Sequence, residues 1–175
     1  MIKEMKQFVP SQICLACDGC CRFKEEDSAW RPRIAETEKK QVSTKPGLAE
    51  KIFSKAKIAD DGQLKAVACH GLYICTFFNP EHNTCGIYHA RPFDCQLYPF
   101  VLTRSAGKTV VSVHLNCPYV QEKKNSTEFQ DYVSYLQEFF RREDVKTFLN
   151  KNPSLVGDYS QYREELEQVM VLNLG

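Results

Sequence analysis

The chain has 175 residues, 43% hydrophobic and 26% charged, with a formal net charge of +1. That composition belongs to a globular protein long enough to bury a core without covalent staples. The near-neutral charge argues against nucleic acid or an anionic membrane as the principal partner, and no run approaches the ~20 apolar residues that a membrane span needs.

The opening "MIKEMKQFVPSQIC" carries lysines but no apolar stretch before Cys14, which is not a secretory-signal pattern. A cytoplasmic address is therefore expected, where thiols stay reduced. Nine cysteines is also an odd number, so a full set of disulfides would leave one thiol over. The segment "CLACDGCC", Cys14 to Cys21, holds four of the nine. A tight turn aims the sulfurs of a C-x2-C pair at one point, and Cys14/Cys17 and Cys17/Cys20 offer that spacing twice in overlap. Gly19 supplies backbone freedom. Side chains of the adjacent Cys20 and Cys21 are expected to diverge and so to serve two ions, or opposite sides of one cluster.

Downstream, "RFKEEDSAW" (22–30) reads as extended, and "PRIAETEKKQ" (32–41) as a helix opened by Pro32. "KPGLAEKIFSKAKI" (45–58) places Leu48, Ile52, Phe53 and Ala56 at helical spacing. "DDG" (60–62) is a turn, and "QLKAVAC" (63–69) a short strand. A turn-rich stretch follows with Cys69, Cys75, Cys85 and Cys95. "LYPFVLTR" (97–104) and "KTVVSVHL" (108–115) read as a hairpin, with Gly107 taking a positive φ. Cys117-Pro118 comes next. Ser126 or Thr127 then caps one long helix to Asn150, and "SQYREELEQVMVLNL" (160–174) reads as a second, with Asp158 and Gln161 at capping-box spacing.

The expected fold class is α+β. Residues 1–120 form a cysteine-cluster metal-binding domain with a β-hairpin and short helices. Residues 121–175 form an extension of two C-terminal helices packed on it.

Clustered and distant cysteines together suit either paired tetrahedral zinc sites or an iron–sulfur cubane. The C-x2-C-x2-C run is similar to the first three ligands of a bacterial ferredoxin cluster, and Cys117-Pro118 to the fourth. Sulfur accepts both metals, and spacing does not choose between them.

"CLACDGCCRF" together with "CTFFNPEHNTCGIYHARPFDCQLYPF" resembles the bacterial CxxCxxCC, or YkgJ-like, cysteine-cluster family of zinc- or iron-chelating domains. The shared downstream pattern falls on Cys75, Cys85, Ile87, Tyr88, Arg91, Pro92, Cys95, Tyr98 and Pro99. The resemblance implies eight thiolate ligands: Cys14, Cys17, Cys20, Cys21, Cys75, Cys85, Cys95 and Cys117. It implies zinc or iron, in mononuclear sites or a 4Fe-4S cluster, with a structural, metal-handling or electron-transfer role. Flagellin lysine-N-methylases carry a similar pattern, which implies the alternative of an Fe–S or zinc dependent protein-modifying enzyme.

Arg91 admits two readings of equal weight: part of the turn that Pro92 fixes before Cys95, or a donor that offsets thiolate charge. Cys69 reads as a small buried hydrophobe. His70 and His82 read as solvated turn residues, His114 as a packed or exposed strand residue, and Tyr88 and Tyr98 as core aromatics. Lys123-Lys124 and Arg141-Arg142 read as solvated helix faces. No G-x-G pair and no G-x-S-x-G occurs, so nothing supports a dinucleotide, a P-loop or a serine nucleophile.

Overall fold

The computed structural model describes residues 5–17, 19–43 and 57–174. The chain forms two compact units, Pro10–Gln96 and a second composed of Met1–Val9 with Leu97–Gly175. We call them the cysteine unit and the flanking unit. Both mix short helices with small antiparallel sheets, so the class is α+β.

The cysteine unit begins with a one-and-a-half-turn helix, α1 (Ser11–Ala16), whose end is set by the extended backbone of Cys17. Strands β1 (Arg22–Phe23), β2 (Ala66–Cys69) and β3 (Leu72–Cys75) make an antiparallel sheet in the order β1-β3-β2. The β2–β3 turn is His70-Gly71, both at positive φ (49° and 81°), the combination a two-residue type I′ hairpin demands. A two-stranded ladder, β4 (Phe78–Asn79) with β5 (Thr84–Cys85), follows. A 3₁₀ turn at Tyr88–Ala90 and a short helix, α3 (Phe93–Leu97), complete this part. Phe23, Ile34, Leu64, Ile74, Cys75, Phe77, Phe78 and Ile87 form its apolar core.

Helix α2 (Glu36–Ser43) begins four residues later than Pro32 suggested. Pro32 and its neighbours are drawn into a ladder: the carbonyl of Pro32 accepts from the Leu64 amide at 2.7 Å, and Arg33 bridges Gln63. The helix starts instead where the Glu38 carboxylate accepts from the Ala35 amide at 2.9 Å, a capping contact. Of the helix expected over 45–58, residues 45–56 lie outside the described residues, while Ile58 bridges Leu64. Of the stretch 22–30 read as extended, Arg22–Phe23 forms a strand.

In the flanking unit, β6 (Phe100–Ser105) and β7 (Lys108–His114) form the expected hairpin. Ala106 and Gly107 turn it at φ 48° and 75°. The first strand starts at Phe100 and not at Leu97, because Leu97 ends α3. Helix α4 (Pro118–Lys123) follows Cys117 with proline in its first turn.

The single helix expected over 126–150 is two, α5 (Thr127–Arg141) and α6 (Glu143–Lys151). Ser126 caps α5 by accepting from the Phe129 amide at 3.2 Å. Arg142 adopts an extended backbone and grips Asp144 through two hydrogen bonds of 3.0 and 2.6 Å. Glu143 and Asp144 then sit in the first turn of a new helix, where its dipole favours carboxylates.

The helix expected over 160–174 is absent. Ser160–Glu165 is 3₁₀, and Leu166–Val171 is a strand, β8, added antiparallel to the open edge of β7. Asp158 accepts from the Ser160 amide at 2.9 Å, making a local turn in place of a capping box. Val169 and Val171 favour the ladder, and pairing with β7 overrides the helical propensity of "REELEQ". Phe8, Phe100, Tyr119, Phe129 and Tyr132 gather in an aromatic cluster, with Phe8 and Phe100 centroids 5.8 Å apart.

Candidate metal centre

Seven of the eight expected ligands lie in the cysteine unit, delivered by a helix, a turn and the ends of strands. Cys14 is carried on α1, and its amide donates to the carbonyl of Pro10 at 2.9 Å. Cys17 sits at the end of that helix. Cys20 and Cys21 occupy the turn that feeds β1. Cys75 ends β3, Cys85 ends β5, and Cys95 is the third residue of α3. The two halves of the motif are joined by the main chain: the Cys75 amide donates to the Cys21 carbonyl at 2.9 Å, and β1 pairs with β3. Asn83, in the β4–β5 loop at φ 50°, donates to the carbonyl of Ala16 and accepts from Arg22 Nη1, both at 3.3 Å.

Backbone amides serve the sulfurs in a repeated way. Cys17 Sγ accepts from the Gly19 amide at 3.4 Å. Cys75 accepts from the amides of Phe77 and Phe78, and Cys85 from that of Ile87. In each case the donor lies two residues on, with a second one three residues on at Cys75. Such amides stabilise the anionic form of a sulfur and fix its direction.

The thiols share one electrostatic neighbourhood. Burial pushes the Cys75 thiol up to about 11 from an ordinary 9.0, and Cys85 and Cys20 push the same way. Cys14 and Cys85 are raised chiefly by burial, and each also feels Cys20. Cys95 is raised well above 9.0 by burial, then by Cys75, Asp94, Cys20 and Cys85. Cys20 is raised well above 9.0 first by a side-chain hydrogen bond with Cys21 and then by burial.

Arg91 is the cation that the raised thiols feel. It acts on Cys14, Cys20 and Cys85, lowering each. Its Nη1 lies 3.8 Å from Cys14 Sγ, its Nε donates to the Tyr88 carbonyl at 2.9 Å, and its guanidinium lies 3.7 Å over the Tyr88 ring.

Two carboxylates pin the helix that carries Cys95. Glu38, from α2, accepts from the Phe93 amide at 2.6 Å as well as from Ala35. Asp94, from α3, accepts in return from the Arg33 amide at 2.9 Å. Both are raised by burial, and the carboxylates also raise Glu38 through mutual repulsion.

Among the described residues, no three Cys, His, Asp or Glu side chains converge as a finished ligand shell. Protonated thiols have no mutual attraction to draw them to one point, and burial holds these in the protonated form. The donor set nonetheless fits a soft, thiophilic ion. It consists of sulfurs, aimed by backbone amides, with an arginine to offset negative charge.

A family model described as "Putative zinc- or iron-chelating domain", named CxxCxxCC, matches residues 13–146. The chain belongs to the CxxCxxCC family. No curated protein and no solved structure matches it. The matched span includes the cysteine cluster, the β6–β7 hairpin and α5.

Within this CxxCxxCC protein, Cys117 stands apart in sequence and in unit. It is buried at the start of α4 in the flanking unit, with its amide donating to the His114 carbonyl at 3.3 Å. Cys69 closes β2 opposite Leu72 and packs half-buried against the apolar core. His70 is exposed at the hairpin tip, and exposed His82 gives its amide to Asn79 Oδ1 at 3.3 Å. His114 lies between Tyr98 and Glu165: Nδ1 is 2.9 Å from the Tyr98 hydroxyl and Nε2 3.2 Å from Glu165 Oε2. Burial lowers its pKa from 6.5, against Glu165. Among the described residues, no helix is long and apolar enough to cross a membrane.

Sequence reasoning missed the amides of Gly19, Phe77, Phe78 and Ile87 and the clamp of Glu38 and Asp94. The amides had a signal, because a sulfur that begins a tight turn meets the amide two residues on. The clamp had none, because its partners are remote in sequence.

Proposed function

We propose that this protein binds zinc or iron through the thiolates of its cysteine unit, as a structural, metal-handling or electron-transfer centre. Cys14, Cys17, Cys20, Cys21, Cys75, Cys85 and Cys95 are the ligands drawn from that unit, and Cys117 is the eighth. The observation that carries the reading is the shared neighbourhood of buried and half-buried thiols around Cys20. Each disfavours charge on the next, and a cation among them reverses every one of those repulsions. Seven sulfurs exceed the four that one tetrahedral ion uses, so the unit has capacity for more than one metal atom. Adjacent Cys20 and Cys21 supply two sulfurs from one turn to that assembly.

Anaerobic purification followed by elemental analysis and a visible spectrum tests this. About two zinc ions per chain without colour supports paired tetrahedral sites. Brown protein with iron and acid-labile sulfide supports a cluster. Folded protein that takes up neither metal refutes the proposal.

A further inference from the structure

Two downstream cysteines reach the CxxCxxCC run by different routes. Cys75 ends β3, which pairs with β1, so the main chain ties that cysteine to the run. Cys85 ends β5, which pairs with β4 in a ladder separate from the β1-β3-β2 sheet. Its tie to the run is a side chain. Asn83, two residues before Cys85, has its backbone at φ 50°, the left-handed region that asparagine tolerates. Its Nδ2 donates to the carbonyl of Ala16, the residue before Cys17, at 3.3 Å. Its Oδ1 accepts from Nη1 of Arg22, the residue after Cys21, at 3.3 Å. One carboxamide therefore holds both ends of the segment that carries Cys17, Cys20 and Cys21, with its donor at one end and its acceptor at the other. Its partners are themselves fixed. The Arg22 guanidinium lies 4.7 Å over the ring of Phe78 in β4. Asn79 Oδ1 accepts from the amides of Glu81 and His82 at 2.9 and 3.3 Å, which shapes the loop that presents Asn83.

We infer that Asn83 is a positioning residue of the metal centre, whose carboxamide sets Cys85 in register with Cys17, Cys20 and Cys21. The inference rests on the thiolate reading above. Asn83 acts through the peptide that precedes Cys17 and the residue that follows Cys21. Sulfurs contributed by two segments bind an ion well only when the segments are aligned, and groups outside the ligand shell maintain that alignment.

The test titrates Co(II) into the full, reduced chain, where the d–d bands report the geometry of the sulfurs around the ion. Asn83→Gly keeps a backbone that takes positive φ without strain and removes the carboxamide. The expected result is an affinity for Co(II) weakened about tenfold and shifted d–d bands, with the melting temperature of the metal-free chain unchanged. Asn83→Asp keeps an acceptor for Arg22 and loses the donor to Ala16, and moves affinity and bands in the same direction. It serves as the reading if Asn83→Gly does not fold. Wild-type protein that binds no Co(II) overturns the thiolate reading and this inference together. Wild-type protein that binds Co(II), with an affinity and bands that neither substitution moves, overturns the inference alone. A lower melting temperature of the metal-free variants with the bands in place also overturns it, and leaves Asn83 as a residue of the fold.

Discussion

The Cys75 amide donates to the Cys21 carbonyl at 2.9 Å, so the last residue of the CxxCxxCC run and the first downstream motif cysteine are main-chain partners. Cysteines 54 residues apart in sequence are thus joined beside a β-ladder of β1 with β3. A ligand substitution at either half therefore leaves the pairing of β1 with β3 in place while removing a sulfur.

Cys17→Ser and Cys95→Ser are expected to lose metal and, with it, the stabilisation of the loaded form. That stabilisation is about 4 kcal/mol at a free metal concentration a thousandfold above Kd. Cys69→Ser, at the far end of β2, changes neither metal content nor melting temperature by a comparable amount. Elemental analysis beside thermal melts decides the matter, and an undiminished metal content in Cys95→Ser counts against the ligand set.

Opposite pH dependences are expected for the metal-free and loaded chains. Burial raises the thiols of Cys14, Cys75 (to about 11), Cys85 and Cys95 from 9.0. Between pH 9 and about 11 the folded metal-free chain retains protons that the unfolded chain has released. Its stability is therefore full below pH 9 and falls as pH rises through the folded values. Metal displaces those same protons, so the loaded chain loses metal as pH falls. Melts of reduced, metal-free protein across pH 7–11 and metal release on acidification check the two arms. A metal-free chain that grows more stable above pH 9 would show that its thiols are not held protonated.

Glu38 accepts from two backbone amides, Ala35 at the start of α2 and Phe93 at the start of α3. Glu38→Ala leaves both unsatisfied and is expected to cost about 2–3 kcal/mol. Because α3 carries Cys95, metal affinity should fall as well. Denaturant unfolding of metal-free protein separates the two effects, and a midpoint equal to wild type would remove the clamp from the account.

Gly107 turns the β6–β7 hairpin at φ 75°, with open space where a methyl group would stand. Gly107→Ala therefore costs backbone strain and no clash, about 1 kcal/mol. The same change at Gly71, φ 81° with the same open surroundings, should cost a similar amount. Thermal melts of the two variants test this, and an unshifted Gly107→Ala melt would contradict a type I′ turn there.

What could be read from the sequence was whatever rests on neighbours. The β6–β7 hairpin and its glycine, the Ser126 cap, the proline-led α4 and the family resemblance all depend on residues a few positions apart. The misreadings share a different cause. Residues 160–174 have helical spacing, yet the open edge of β7 takes 166–171 as a strand. Asp144, two residues on, holds Arg142 out of a helix that hydrophobic periodicity carries straight through. Long-range pairing decided the strand, and the helix break coincides with a two-residue side-chain contact; hydrophobic periodicity holds no record of either.

The cysteine unit is one continuous stretch, whereas the flanking unit is assembled from both sides of it, with Phe8 against Phe100. For the flanking unit to form that aromatic contact, the chain must close a loop of about 90 residues, which carries an entropic cost growing as the logarithm of its length. Once the cysteine unit has folded, that stretch no longer behaves as ninety free residues but as a short, stiff tether. The cost of closure then falls by roughly 2 kcal/mol. An ion that organises the thiols of the cysteine unit would thereby favour the formation of the β-sheet and aromatic cluster of the flanking unit. Loss of metal should accordingly loosen the first and last segments of the chain as well as the cysteines between them.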